Sequence, residues 1–246
     1  MPSEVVLADN TQARILRTFT LLHALRQGWG GALIVACGLN PQGAALALAS
    51  NIAGAVCLSI EDNPATLKDA LRTSSCDFIV NTLDEALRAM KNEVRKHQPL
   101  SVGLQGNPTQ VLEELLERGV SPQLFTDLTH NPAHLAALRR FQSSGALLVR
   151  FDSSHSLDAD GVLDADALID AFVQPRQWHF RSFALDTPAT LRAFDAQALS
   201  SIPEGDSFRR KWLQSAPRIL QRGRPIRRTL WVTEAEEQAL QPAATA

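Results

Sequence analysis

The chain has 246 residues, 45% of them hydrophobic and 20% charged, with a formal net charge of −2. Such a balance describes a globular chain with a full core, and it excludes a strongly basic nucleic-acid binder and a disordered polyelectrolyte. No apolar run approaches the roughly 18 residues a membrane helix needs.

The stretch MPSEVVLADNTQARIL lacks a basic segment followed by an apolar one, so no secretion signal is expected. Residues 10–27 space Ile15, Leu16, Phe19, Leu22, His23 and Leu25 at helical intervals and predict an amphipathic helix, broken by Gly28-Trp29-Gly30-Gly31. Short continuous apolar runs then alternate with helical patterns. The runs are 32–36, 55–60, 77–80, 100–104, 123–127 and 146–151, and helices are expected near 43–54, 64–72, 83–97, 108–119 and 131–143. Continuous apolar strands separated by helices indicate a parallel sheet covered on both faces. Right-handed crossovers make it a doubly wound, Rossmann-like α/β sheet. After Phe151 the rhythm weakens. A polar stretch, 152–166, precedes a helix (164–173), a strand (178–185), helices (188–199 and 206–221) and a strand (229–233). Three parts are expected: an N-terminal helix (1–28), a Rossmann-like nucleotide-binding domain (29–151) and a smaller C-terminal α/β segment (152–246).

Cys37, Cys57 and Cys76 are an odd count without metal-ligand spacing. They read as buried thiols of a reducing cytoplasm, and no metal is expected. The run from Cys37 to Asp62, CGLNPQGAALALASNIAGAVCLSIED, has the outline strand, tight loop, helix, strand, acid. A dinucleotide site needs backbone N–H groups at a helix N-terminus and glycines that admit the pyrophosphate. Here Pro41 offers no N–H and only Gly38 and Gly43 remain. Glu61, about 20 residues past the loop, stands where an acid takes ribose hydroxyls. Alternatively, the two glycines form a tight turn and Glu61-Asp62 caps the helix that begins near Pro64. The residues alone leave both open.

The longer pattern, over residues 29–233, resembles the urocanase (urocanate hydratase) family. CGLNPQGAA stands where the family reads GLGGMxGAQ, Leu100 to Asn107 where it reads LSIGLxGN, and Thr126 to Pro132 where it reads TDQTSxHNP. Further on, 134–146, Phe180 to Leu185 and Arg222 to Val232 fall in order against later family segments. The resemblance implies bound NAD, whose nicotinamide serves as an electrophile in urocanate hydration during histidine breakdown. It implies cofactor contacts at Asn40, Pro41, Gln42, Glu61, Asn107, Thr129 and His130. It also implies a lyase acting as a homo-oligomer or with a partner subunit.

The departures fall on that chemistry. The family's active-site cysteine corresponds to Leu230, a side chain with no proton or thiolate to offer. The chain has no tyrosine, the family segment between Pro132 and His134 is nearly absent, and a family arginine is Thr66. A weakened NAD site and impaired hydration follow. The alternatives are a non-catalytic relative that senses a nucleotide or binds a partner, and an enzyme of different chemistry built on His130 or His155.

Three other groupings hold residues capable of chemistry. Ser156 to Ala167 holds Asp158, Asp160 and Gly161 in calcium-loop order but closes on Ala167, so a solvated acidic loop is expected. Residues 209–228 carry eight basic side chains and no acid, and read as a solvated face or subunit contact. Asp152, Ser153 and His155 are close only in sequence.

Overall fold

The computed structural model describes residues 11–151, 161–219 and 226–244. Helix α1 (Thr11–Leu25) leads into β1 (Leu33–Cys37), α2 (Pro41–Ala53), β2 (Val56–Glu61), α3 (Pro64–Arg72), β3 (Phe78–Val80), α4 (Leu83–Lys96), β4 (Leu100–Gln105), α5 (Pro108–Glu117) and β5 (Leu124–Asp127). A 3-10 turn (Pro132–His134), α6 (Leu135–Ser143), β6 (Leu147–Arg150), β7 (Leu163–Asp164) and α7 (Ala165–Val173) follow. A second 3-10 turn (Gln174–Arg176) precedes β8 (His179–Ala184), α8 (Pro188–Ser201), α9 (Ser207–Ile219), β9 (Arg227–Val232) and α10 (Glu234–Ala244).

Seven strands form one sheet in the order β3-β4-β2-β1-β5-β6-β7, and every neighbouring pair is parallel. The chain leaves β1 for β2 on one side and returns through β5 on the other. The gap between the carboxyl ends of β1 and β5 is therefore the topological switch point, where open α/β sheets bind ligands. The doubly wound, Rossmann-like fold expected from the apolar runs is the fold observed.

Strand alternation divides the core. Ile34, Ala36, Cys57, Leu124 and Val149 face α1, α2 and the C-terminal elements. Leu33, Val35, Val56, Leu58, Ile60 and Phe125 face α4, α5 and α6. Because both faces are covered, the strands carry no polar alternation. The C-terminal segment joins the first of these clusters through Ile169, Phe183, Phe194, Trp212, Leu230 and Leu240. Helix α1 is enclosed as a result. Its Thr20 Oγ1 accepts the Trp231 indole N–H (2.9 Å), and its Gln12 Nε2 donates to the Arg227 carbonyl (2.9 Å). Buried Gln12, Thr18 and Thr20 make the helix less one-sided than its apolar spacing suggests.

The basic run 209–228 is solvated only in part: among its described residues Lys211, Arg218 and Arg227 are exposed. Arg209 and Arg228 are buried. Arg228 forms a two-pronged pair with Asp195, both contacts 2.7 Å. Arg209 bonds Glu236 through two nitrogens (2.6 and 2.9 Å) and Asp206 through Nε (2.6 Å). The acids come from other segments, which the local charge count could not see. Arg222 and Arg224, with Asp152, Ser153, His155, Asp158 and Asp160, lie outside the described residues. Of the acidic loop's remainder, Asp164 caps α7 by accepting the Ala167 N–H (3.0 Å), and Asp166 pairs with Arg17 (2.6 Å).

Helix α10 was not expected from the sequence. Its signal is Thr233-x-x-Glu236, where Thr233 Oγ1 accepts the Glu236 N–H and Glu236 Oε2 accepts the Thr233 N–H. Burial pushes the Glu236 carboxyl up, but hydrogen bonds from Arg209 and the Thr233 N–H outweigh it and hold the group below its usual 4.5. A depressed folded-state value stabilises fully above the unfolded value and is lost as pH falls through the folded one. Glu236→Gln is thus expected to lower stability at neutral pH and to flatten the acid limb below about pH 4.5 in thermal melts. An unchanged acid limb would contradict this.

Candidate functional site

The site is built on the turn from β1 into α2. Gly38 has φ +93°, a left-handed conformation, and its N–H donates to the Ile60 carbonyl (2.8 Å). Asn40 is the N-cap of α2. Its Oδ1 accepts the N–H groups of both Gln42 and Gly43, each at 3.0 Å. Pro41 opens the helix without an N–H. Gly43 packs so closely that a Cβ there would lie 2.4 Å from the Gly38 carbonyl oxygen. Gly43→Ala must therefore displace backbone, at an expected cost of about 1–3 kcal/mol in urea denaturation. Wild-type stability in that variant would show the turn to be less tightly packed than described.

Glu61, at the carboxyl end of β2, turns back on this loop. Its Oε2 accepts the Leu39 N–H (2.9 Å) and its Oε1 the Asn63 N–H (3.0 Å). The helix that follows is capped by Asn63, whose side chain accepts the Ala65 N–H, and not by Glu61-Asp62. The amides of residues 38, 39, 42 and 43 thus all have acceptors within the protein.

The neighbouring loop follows β5. The Leu128 N–H donates to the Cys37 carbonyl (2.9 Å), and Asn40 Nδ2 reaches the Leu128 carbonyl (3.4 Å). Thr129 donates both its N–H (3.0 Å) and its hydroxyl (2.6 Å) to Asp127 Oδ1. His130 has φ +54° and precedes Asn131, which caps the 3-10 turn. Asn40, Pro41, Gln42, Glu61, Thr129 and His130 all stand at the carboxyl ends of the adjacent strands β2, β1 and β5. Asn107 lies on the same edge, past β4, where it caps α5 by accepting the Gln110 N–H (3.3 Å). Gln42 is turned toward α1, its Nε2 donating to Thr18 Oγ1 (2.9 Å).

Under this edge lies a buried relay that the sequence reading did not assign. His134 Nδ1 is 2.9 Å from Asp127 Oδ2, and His134 Nε2 is 3.1 Å from Thr109 Oγ1. With the proton on Nδ1, Asp127 accepts from the ring and Nε2 accepts the Thr109 hydroxyl. The signal available was an acid ending a strand, followed seven residues later by a histidine in an otherwise apolar helix start. Cys37, last residue of β1, is fully buried, and burial first, then the Asp127 carboxylate, push its thiol well above the ordinary range. It is no free nucleophile. Leu230 is fully buried in β9 opposite Arg181, within the core.

Comparison with known proteins finds two similar solved structures and one matching family model. Among solved structures, a short chain alcohol dehydrogenase from E. coli CFT073, complexed with NADH, is 14% identical with a TM-score of 0.36, covering 70% of this chain and 50% of that one. An alcohol dehydrogenase from Thermus sp. ATN1 is 16% identical with a TM-score of 0.35, covering 69% and 50%. The chain therefore spans about half the length of each. A family model, the urocanase Rossmann-like domain, matches residues 14–146, from α1 to the residue before β6. With more than half of its length so matched, the chain belongs to the urocanase family.

Proposed function

We propose that this chain is a nucleotide-binding member of the urocanase family that does not hydrate urocanate on its own. The observation that carries the reading is the loop at the switch point, whose amides are filled from within by Asn40 and Glu61. The donor set does not fit a tightly held pyrophosphate, which would have to compete with the Asn40 cap and finds no donor at Pro41. It does fit a ribose. Each Glu61 oxygen accepts one backbone N–H and keeps a lone pair for a hydroxyl. NAD⁺ in this reading is a weak, exchangeable ligand gripped by its nucleoside half. The buried Leu230 supports the loss of hydration, since the matching family position supplies a cysteine and this side chain can neither carry a proton nor add to substrate.

Purified protein incubated with urocanate and excess NAD⁺ is expected to leave the urocanate absorbance unchanged relative to a heat-killed control. Consumption of urocanate above that control would overturn the proposed absence of hydratase activity.

A further inference from the structure

Three donor-bearing side chains meet below the crevice. The Cys37 thiol, the Asp127 carboxylate and the His134 imidazole each offer one ligand atom, and these atoms lie within 4.8 Å of one another. All three residues are buried, at 0%, 3% and 1% exposure. They come from separate segments: the last residue of β1, the last residue of β5 and the end of the 3-10 turn. We propose that they bind one divalent transition-metal ion of the zinc type.

The far atoms of two ligands are already held, as outer partners hold them in metal sites. Asp127 Oδ1 takes two hydrogen bonds from Thr129, and His134 Nε2 faces the Thr109 hydroxyl. That leaves Asp127 Oδ2 and His134 Nδ1 to face each other, 2.9 Å apart, across the position of a shared proton. Tetrahedral coordination with bonds of about 2 Å needs these atoms roughly 3.3 Å apart, a shift of a few tenths of an ångström. Thr129 Oγ1 lies 3.5 Å from Nδ1 and stays committed to Asp127, so a solvent molecule would complete the coordination.

Charge and softness select the ion. A thiolate and a carboxylate together neutralise a divalent cation, which a buried site requires. Sulfur and imidazole donors disfavour magnesium and calcium and suit zinc. On binding, the Cys37 thiol loses its proton to solvent and the sulfur–metal bond forms. The His134 proton moves from Nδ1 to Nε2, and the Thr109 hydroxyl changes from donor to acceptor. One proton is released per ion. The ion would pin the ends of β1 and β5 at the switch point, whether or not a nucleotide binds there.

The test uses the full chain, without an affinity tag, stripped with EDTA and titrated with Co²⁺ under reducing conditions. One equivalent is expected to produce a thiolate-to-metal charge-transfer band, displaced by Zn²⁺. The band is expected to vanish in Cys37→Ser, to survive in Cys57→Ser/Cys76→Ser, and to need at least about tenfold more Co²⁺ in Thr129→Val. Should Cys37→Ser fail to fold in EDTA, as judged by circular dichroism, the double serine variant and the Zn²⁺-dependent rise in wild-type melting temperature decide. No band and no rise at millimolar metal, or a band retained in folded Cys37→Ser, would reduce the cluster to a hydrogen-bonded clip and overturn the proposal.

Discussion

Replacing Arg228 by alanine is expected to destabilise the fold by about 3–5 kcal/mol, because it strands a buried carboxylate. Arg228 Nε and Nη2 each lie 2.7 Å from an oxygen of Asp195, and the two side chains are only 2% and 11% exposed. The pair joins β9 to α8, so its loss acts within the C-terminal segment. Most of the penalty is the uncompensated charge and not the attraction itself. Replacing both partners with apolar residues of similar volume, as in Arg228→Met/Asp195→Leu, should recover most of the loss. Urea denaturation of the two variants checks both statements. A single variant within about 1 kcal/mol of wild type would mean that Asp195 finds water or another donor.

Asn40→Gly is expected to tighten NAD⁺ binding by about tenfold or more while costing only a few tenths of a kcal/mol in stability. Asn40 Oδ1 holds the Gln42 and Gly43 N–H groups at the start of α2. Glycine is a tolerated N-cap, and it returns both amides to a phosphate. Even one released charge-assisted hydrogen bond, worth roughly 1.5–3 kcal/mol, corresponds to tenfold or more in affinity. The gain should be seen with NAD⁺ and be absent with adenosine, which has no phosphate. Equal gains for both ligands would point to a general loosening of the loop.

Much of this architecture is legible in the residues. The runs 32–36 and 55–60 read as strands buried on both faces because polar alternation is missing, and the strands found there, Leu33–Cys37 and Val56–Glu61, are in fact covered on both faces. The parallel, doubly wound arrangement followed from the βα rhythm, but the strand order did not. What escaped was any contact whose partners lie far apart in sequence. The basic run 209–228 looked solvated because Asp195, Asp206 and Glu236 sit outside it. Helix α10 escaped because its segment carries Leu240 as its one large apolar side chain, so no helical periodicity marks it beyond the Thr233–Glu236 capping box. At the site, the positions of Glu61 and the glycine turn could be read, but the direction in which side chains point could not. Asn40 was expected as a cofactor contact by resemblance, and only the 3.0 Å contacts to Gln42 and Gly43 show it to be the cap of α2. His134 and Asp127 are seven residues apart, and their meeting depends on the 3-10 turn that reverses the chain after β5.

The most direct measurement is calorimetry of nucleotide-stripped protein with NAD⁺ and with adenosine, in wild type and Glu61→Ala. The expected result is weak NAD⁺ binding, an adenosine affinity within about tenfold of it, and loss of both in the variant. No heat of binding at millimolar NAD⁺ would contradict the central claim, and so would tight NAD⁺ binding with no response to adenosine.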